Sequence, residues 1–169
     1  SIRVMLSLIG NESSSDIRRV YFRLMEKTDE SMILGWQQSE GARRYSRHTS
    51  LPSVKTHNNW MNEKIMDPDC LPMIVCSDGA DVGLIRLERK QDKIELSILV
   101  AQDYQGLGIG AGAIRLARKI YPRNALWAEI HSENASSQKV FRFSGFVSTE
   151  QCRWYKASPL EEIEGYSIS

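Results

Sequence analysis

The sequence predicts an α/β (α+β) fold in which a twisted, mixed but mostly antiparallel sheet of six to seven strands is flanked by about four helices. Three strand-like segments follow one another in the middle of the chain and are joined by short turns, which indicates an antiparallel meander. The last of them, Lys93 to Val100, leads directly into the glycine-rich run Gln105 to Gly110 and then a helical segment. Helical and strand-like segments alternate from there to the end of the chain.

The predicted elements occur in the order β-α-α-β-β-β-α-β-α-β. The first half contains a strand Val20 to Met25, a helix capped by Thr28-Asp29, a helix Ser53 to Met66, and the meander strands Met73 to Cys76, Val82 to Leu87 and Lys93 to Val100. The second half contains a helix Gly108 to Tyr121, a strand Ala125 to Ile130, a helix Ala135 to Ser144 and a strand Cys152 to Ala157.

Local signals set the boundaries of these elements. Asp67-Pro68 ends the second helix and Pro122 the third, because proline disrupts a continuing helix. Ser77-Asp78-Gly79 and Gln91-Asp92 are turn sequences between strands of the meander. Gly145 closes the last helix, since glycine readily adopts the left-handed conformation found after helix ends.

Length and composition favour one compact domain, which we assign to residues 17–169. The chain has 169 residues, 41% of them hydrophobic and 25% charged. A chain of this length and composition can bury a stable core without disulfide bonds or other cross-links. Residues 1–16 are interpreted as an N-terminal extension or linker, in which Ile2 to Ile9 forms an extra strand. Because the chain begins with Ser1, two interpretations stay open: a domain of a larger polypeptide, or a chain trimmed for expression.

Charge and cysteine content exclude several classes of partner. The net charge is +1, so no general electrostatic attraction to nucleic acid or to a membrane surface is expected. No apolar run reaches the roughly 20 residues that cross a bilayer. Three cysteines without a C-x-x-C pair argue against a disulfide scaffold or a zinc site and suit a reducing compartment, so no metal and a cytoplasmic location are expected.

The glycine run Gln105-Gly106-Leu107-Gly108-Ile109-Gly110 is typical of a loop that binds phosphate. Glycine lets the backbone turn and approach a ligand, and the amides at the start of the following helix carry partial positive charge. A nucleoside-triphosphate loop is excluded, because Ala111-Gly112 stands where Lys-Ser/Thr is required. A dinucleotide loop fits the glycine spacing, with Glu129 as the ribose-binding acid, but the preceding antiparallel meander is the wrong context.

A second motif follows this loop at a suitable distance. Val100 and Gln105-x-x-Gly108-x-Gly110, followed by Asn134, Ser137, Phe141 and Gly145-Phe146, resemble the Gcn5-related N-acetyltransferase (GNAT) superfamily from roughly Val20 to Tyr155. The resemblance implies a bacterial acetyltransferase that uses acetyl-CoA. The residues it implies for binding the cofactor are Ile98, Leu99, Val100, Gln105, Gly106, Leu107, Gly108, Ile109, Gly110, Asn134, Ser137 and Phe141.

Acetyl transfer to an amine requires that the amine lose a proton. Alternation along Lys93 to Val100 places Ile94, Leu96 and Ile98 on one face and Glu95, Ser97 and Leu99 on the other, so Glu95 is the first candidate for the general base. Glu129 and His131 share a face of a neighbouring strand and are alternative bases. Two alternatives remain open: the base acts through a water molecule, or each of these residues has an ordinary structural role.

Phe141 departs from the superfamily pattern, in which a tyrosine at this position donates a proton to the departing thiolate. Phenylalanine has no proton to donate. Ser137, Tyr155 or a water molecule could supply it instead, or the thiolate could leave unassisted. Phe141 would then form a wall of the acyl site.

The acceptor is predicted from a pattern in the first half. Trp36, Arg43-x-x-Ser46 and His57-x-x-Trp60 resemble a subgroup that acetylates nucleotide-linked amino sugars in pseudaminic acid biosynthesis. Aromatic faces stack on bases or sugars, and arginine binds phosphate. Ser97 completes the predicted acceptor set. The alternative is that both tryptophans are core residues and that Arg43-Arg44 is a solvated turn.

We therefore expect an acetyl-CoA-dependent N-acetyltransferase that acts on a small amine, such as an amino-sugar nucleotide, by direct transfer in a ternary complex. No cysteine lies in a motif that suggests an acyl-enzyme. The alternatives are a protein or peptide N-acetyltransferase and a non-catalytic acyl-CoA-binding module. A monomer or a homodimer is expected.

Overall fold

A computed structural model of the chain describes residues 12–14, 17–39, 41–46, 50–151 and 153–163. These form an eight-stranded sheet in the order β1-β2-β3-β4-β5-β6-β8-β7. The strands are β1 Glu12–Ser14, β2 Ile17–Leu24, β3 Cys70–Ser77, β4 Ala80–Lys90, β5 Lys93–Val100, β6 Leu126–Glu129, β7 Val147–Ser148 and β8 Trp154–Ala157. Neighbouring strands are antiparallel except β5 and β6, which are parallel.

Four α-helices flank the sheet in the described residues. They are α1 Glu30–Gln38, α2 Val54–Met66, α3 Ile109–Arg118 and α4 Ala135–Phe143. The main apolar core includes Ile114 and Leu116 of α3 and Phe141 of α4, packed against β-strand side chains such as Ile85. A second core lies under α1 and α2 and includes Ile33, Met61 and Ile74. The predicted fold class and element order are confirmed.

The sheet has more strands than predicted because β1 and β7 are three and two residues long, too short for an alternating pattern to reveal. The predicted meander is correct, and both of its turns are present. Asp78 and Gly79 have φ angles of 50° and 78°, and Gln91 has a φ of 57°. Such left-handed residues suit tight hairpin turns. The predicted strand at Ile2 to Ile9 lies outside the described residues.

Arg23 joins three elements on the side of the sheet that carries α1 and α2. Its guanidinium donates to both carboxylate oxygens of Asp29 at 3.0 and 2.8 Å, and to both of Asp81 at 3.2 and 2.9 Å. Asp29 is the N-cap of α1, and its Oδ2 also accepts from the amide of Glu26 at 2.8 Å. These hydrogen bonds raise the pKa of Arg23. The network connects the start of α1 to β2 and β4.

Arg118 performs a similar connection on the opposite side. It is buried at the end of α3 and donates to the backbone oxygen of Ser144 at 3.0 Å and to that of Ser158 at 2.8 Å. Ser144 is the C-cap of α4. One side chain therefore holds α3, the end of α4 and the segment after β8 together.

None of the helices in the described part of the chain is long and apolar enough to span a membrane.

Candidate active site

The predicted glycine loop lies between β5 and α3. Gly106 and Gly108 have φ angles of 76° and 80°, which side chains rarely allow, and Gly108 is the N-cap of α3. The first backbone bond of the helix runs from Gly112 N to Gly108 O at 3.1 Å. The amides of Ile109, Gly110 and Ala111 precede that bond and therefore have no partner within the helix.

Gln105 anchors this loop to the strand that precedes it. Its side-chain Nε2 donates to the backbone oxygen of Val100 at 3.2 Å, although the residue itself is exposed. The exposed Leu107 and the buried Ile109 line a groove of about 240 Å³ together with Ser77 and Asp78 of the β3–β4 turn.

Strands β5 and β6 separate beside this loop. Their parallel pairing is confined to Ile94 with Leu126 and Glu95 with Trp127. β5 nevertheless continues to Val100 and β6 to Glu129, so the register ends at Glu95, the third of the eight residues of β5. Backbone groups of Ile98, Leu99 and Val100 on this edge are outside the ladder with β6. An extended ligand with amide groups could pair with them in the way an added strand does.

Glu95 lies at the point where β5 and β6 begin to part. It is opposite Glu88 in β4, whose carboxylate receives a hydrogen bond of 3.0 Å from Lys64 of α2, so both acids face the α1 and α2 side. Glu95 is only 9% exposed, and its Oε2 is 2.8 Å from Lys90 Nζ. The predicted alternation along β5 is confirmed, because Ile94 and Leu96 belong to the main core. The role of Glu95 as base stays a prediction.

The two alternative bases lie at the far end of β6. Glu129 is half-buried and its Oε1 is 3.9 Å from Nε of Arg153, a residue with a φ of 76°. His131 Nδ1 accepts a hydrogen bond from the amide of Glu133 at 3.1 Å. In a neutral ring with Nδ1 as acceptor the proton sits on Nε2, so His131 has no free lone pair to take another. This arrangement favours a carboxylate over His131.

The second predicted motif forms the start of α4. Asn134 is the N-cap and its Oδ1 accepts from the amide of Ser137 at 3.1 Å, so capping is one confirmed role of this side chain. Phe141 is 5% exposed and packs edge-on against Phe146, with ring centroids 5.0 Å apart, inside the main core. Its role as a wall of the acyl site stays a prediction. The hydroxyl of Tyr155 accepts from Arg142 at 3.2 Å.

A family model described as an acetyltransferase (GNAT) domain matches residues 19–147. The chain belongs to the GNAT family. The match confirms the predicted enzyme class, an N-acetyltransferase, and the predicted superfamily; the pseudaminic acid subgroup stays a prediction. No curated protein matches the chain.

Solved structures show the same fold. AAC(6')-Ib in complex with paromomycin and acetyl-CoA is 15% identical with a TM-score of 0.73, and the alignment covers 88% of this chain and 99% of that one. Spermidine N-acetyltransferase from Vibrio cholerae, in complex with CoA and spermine, is 19% identical with a TM-score of 0.69 and coverages of 77% and 82%. A domain from Methanocaldococcus jannaschii is 17% identical, with a TM-score of 0.70 and coverages of 81% and 95%.

In this GNAT domain the predicted acceptor residues gather around α1, α2 and the connection between them. The rings of His57 and Trp60 stack with centroids 5.6 Å apart, and the guanidinium of Arg86 lies 5.2 Å from the Trp60 ring. Trp36 is half-buried against the second core, and Arg43 donates to Gln37 Oε1 at 3.3 Å. Trp60 therefore already has two partners, and acceptor binding by these residues stays a prediction.

His57 is the most unusual member of this group. It is 2% exposed, and neither ring nitrogen has a hydrogen-bond partner within the described part of the chain. Burial lowers the pKa of His57; the charge of Glu30 opposes this shift and that of Arg43 adds to it. Buried polar atoms are normally paired, so these nitrogens are available to a ligand or to water.

Two other predicted acceptor residues are less buried. Ser97 lies on β5 opposite Arg86, two residues beyond Glu95 and on the same face. Ser46 is half-buried in the α1–α2 connection. Tyr45, which sequence reasoning missed, brings this connection to the end of β6, because its ring centroid is 5.3 Å from that of His131. Only the three-dimensional contact identifies Tyr45, since it occupies an unspecified position of Arg43-x-x-Ser46.

The cysteine thiols do not offer an acyl-enzyme route in the described residues. Burial raises the pKa of the Cys70 thiol to about 11. Burial, followed by a hydrogen bond to Asp81, raises the pKa of the Cys76 thiol to about 12. Both thiols are therefore protonated at neutral pH and are poor nucleophiles. Cys152 lies outside the described residues.

Proposed function

We propose that this GNAT domain transfers an acetyl group from acetyl-CoA to the amine of a nucleotide-linked amino sugar, by direct attack within a ternary complex. The observation that carries the proposal is the left-handed glycine loop at the start of α3, placed beside the gap between β5 and β6. Glu95 lies at the closed end of that gap and Glu129 at its open end. The gap would thus have the amides proposed to bind phosphate at its mouth and carboxylates along one face.

The residues present fit the cofactor. The amides of Ile109, Gly110 and Ala111, which have no partner within the helix, are suited to the pyrophosphate, and the left-handed Gly106 and Gly108 leave the approach free of side chains. The β5 edge at Ile98 to Val100 would pair with the amides of the pantetheine arm. Asn134 and Ser137, at the start of α4, are proposed to lie beside its thiol end. When bound, acetyl-CoA supplies an activated thioester.

Glu95 and Glu129 are the proposed acceptors of the amine proton. The Glu95 carboxylate lies 2.8 Å from Lys90 Nζ, and the Glu129 carboxylate lies 3.9 Å from Arg153 Nε. Glu95 is the first candidate because it lies where the strands part. It would accept the proton from the amine directly or through one water molecule. Glu129, or less favourably His131, would act if the amine enters nearer the open end.

The departing thiolate needs no dedicated acid in this proposal. Phe141 lies in the core and cannot donate, and the Tyr155 hydroxyl is held by Arg142. The hydroxyl of Ser137 is the side-chain donor proposed near the thiol. Otherwise the proton comes from water, because a thiolate is a tolerable leaving group near neutral pH.

The acceptor class is supported by the chemistry around α1 and α2 and by the names of similar structures. Trp36, Arg43, Ser46, His57 and Trp60 offer aromatic edges, a guanidinium and a buried imidazole, which suit the ring and hydroxyl groups of a sugar. The similar structures include proteins in complex with paromomycin and with spermine, which are both amines. These likenesses support a small amine as acceptor.

We further propose a single catalytic domain over residues 17–169, a cytoplasmic location, and a monomer or homodimer. The single domain rests on the continuity of the sheet across the described residues. The location rests on the free cysteines Cys70 and Cys76, which suit a reducing compartment.

The proposal is tested by measuring free thiol released from acetyl-CoA with a panel of acceptors. The panel contains 4-amino sugar nucleotides, the matching free amino sugars, polyamines, aminoglycosides and lysine peptides. Highest kcat/KM with a nucleotide-linked amino sugar is expected. A preference for peptides would replace the proposal with a protein acetyltransferase, and tight CoA binding without turnover on any amine would indicate a non-catalytic binding module.

A further inference from the structure

Two lysines and two tryptophans form a surface on β5, β6 and β8, which we call the Trp127 platform. It consists of Lys93, Trp127, Trp154 and Lys156, all partly exposed. The ammonium of Lys93 is 4.1 Å from the Trp127 ring centroid and 5.7 Å from that of Trp154, and the ammonium of Lys156 is 5.2 Å from the Trp127 centroid. Two cations therefore lie close to the same indole.

The lysines of the platform differ from the other cations on this face. Lys64 pairs with Glu88, Lys90 with Glu95, and Arg153 lies near Glu129. Lys93 and Lys156 contact no carboxylate in the described part of the chain. A cation over a partly exposed indole gains only a weak attraction, which leaves the positive charge available to a dianion.

The platform adjoins the proposed reaction centre. Trp127 is the partner of Glu95 in the last register pair before β5 and β6 separate. Lys156 is opposite Trp127, and Trp154 is opposite Glu129, so these side chains share the face that carries both candidate bases. The platform and the candidate bases are about two residues apart along a strand, or roughly 7 Å. One sugar-phosphate unit is long enough to span this distance.

We infer that the Trp127 platform binds the nucleoside diphosphate part of the acceptor. The ammonium groups of Lys93 and Lys156 bind the diphosphate oxygens, and the indole of Trp154 packs against the base. The sugar then extends toward Glu95 and Glu129, where its amine reacts. This inference rests on the proposed function and assigns the nucleotide to residues on the sheet, whereas the sequence pattern assigned it to α1 and α2.

Uridine diphosphate is the probe, and it is titrated onto protein saturated with CoA so that the cofactor loop is filled. Tryptophan fluorescence and calorimetry report binding. The double variant K93Q/K156Q should bind uridine diphosphate at least about tenfold more weakly, since tenfold is 1.4 kcal/mol. Lys55→Gln removes one exposed positive charge from α2 and should leave binding unchanged. CoA affinity should be the same in all variants.

Turnover separates this inference from the proposed function. In K93Q/K156Q, KM for the amino-sugar nucleotide should rise about tenfold while kcat/KM for the free amino sugar stays unchanged. Uridine diphosphate binding that is absent, or equal in all variants, would overturn the platform. If K93Q/K156Q acetylates an amino-sugar nucleotide with an unchanged KM, the platform is also overturned, although the proposed function survives. Lysine-dependent binding without acetylation of any amino-sugar nucleotide would overturn the acceptor class but retain the platform.

Two further measurements test whether the platform contacts the nucleobase of the acceptor. Trp154→Leu should weaken binding of uridine diphosphate but leave that of inorganic pyrophosphate unchanged. Equal affinity of the unaltered protein for pyrophosphate and uridine diphosphate would overturn the nucleotide assignment.

Discussion

Gly108 links the backbone conformation of the loop to ligand binding. Its φ of 80° is accessible to glycine but strained for a β-branched residue by about 1–3 kcal/mol. We expect Gly108→Val to raise the dissociation constant of CoA at least tenfold, roughly the cost of that strain, because the loop must shift and the new side chain crowds the phosphate site. Calorimetry with CoA measures this.

Gly41→Val is the matched control. Gly41 has a φ of 77° and open space where a side chain would extend, but it lies in the α1–α2 connection, far along the chain from the loop. The CoA affinity of this variant should be unchanged. Full CoA affinity in Gly108→Val would contradict the assignment of the loop.

Glu95 is the residue on which the proposed chemistry depends most. Glu95→Gln should lower kcat by about 100-fold or more while CoA affinity stays within a few-fold, since general-base catalysis contributes about 10²–10⁴. Steady-state kinetics across pH and CoA titration separate these effects. Glu88→Gln, opposite Glu95 and also buried, removes a neighbouring carboxylate without removing the base and should retain kcat. Unchanged turnover in Glu95→Gln would move the base to Glu129, His131 or water.

Residue roles could be predicted only where a motif fixed them. The loop glycines and Asn134 were found because their backbone and capping functions demand those residue types. The contact between Trp60 and Arg86 could not be predicted, because Arg86 comes from a distant strand, whereas His57 lies only one helical turn from Trp60. The Trp127 platform was missed for the same reason, as it joins three strands that are separate in the sequence.

Arg118 is the element-scale connection between α3, α4 and the chain after β8. Arg118→Met should lower the free energy of unfolding by about 2–3 kcal/mol, because the carbonyls of Ser144 and Ser158 lose their donor. Chemical denaturation measures the change. Arg115→Met, at an exposed position of the same helix, should stay within about 0.5 kcal/mol. Equal destabilisation by the two substitutions would show that Arg118 does not make this connection.

Element boundaries followed local chemistry closely where the signals were strong. β5 has the predicted limits, and Ser53 caps α2 by accepting from the amide of Thr56 at 3.1 Å. The predicted helix Gly108 to Tyr121 is too long, because α3 ends at Arg118 before Pro122. β3 extends beyond its predicted limits on both sides, since its pairing with β4 includes residues such as Pro72 that strand propensity disfavours.

At the scale of the whole molecule, His57 links stability to pH. Burial lowers its pKa from the ordinary value of 6.5. Below that pH the unfolded chain therefore binds a proton at His57 that the folded chain does not bind. Stability should therefore decline as pH falls below about 6.5, with a slope of at most about 1.4 kcal/mol per pH unit, until the folded-state pKa is passed. Denaturant unfolding between pH 7 and pH 5 measures it.

His57→Phe keeps a ring beside Trp60 but removes the titrating group, so this decline should largely disappear. His131→Phe leaves His57 in place and should retain it. An identical pH dependence in His57→Phe would contradict the account. The lowered pKa of Glu88, where Arg86 and Lys64 outweigh the effect of burial, acts at lower pH, below the ordinary value of 4.5.

The topology was predictable because its parts constrain one another. The hairpin turns fixed an antiparallel meander, and the segment between Val100 and Leu126 is long enough to cross over to a parallel neighbour. The separation of β5 and β6 after two register pairs was not predictable, because no residue type marks it. That gap, more than any single side chain, defines where the cofactor and amine are proposed to meet.

The most direct test of the account is mass spectrometry of a 4-amino sugar nucleotide incubated with the protein and acetyl-CoA. The account predicts an N-acetylated sugar nucleotide, formed together with free CoA, and a much slower reaction with Gly108→Val and with Glu95→Gln. If acetyl-CoA and the amine both remain unchanged, and the same holds for the free amino sugars, polyamines and peptides, the central claim of amine acetylation is contradicted.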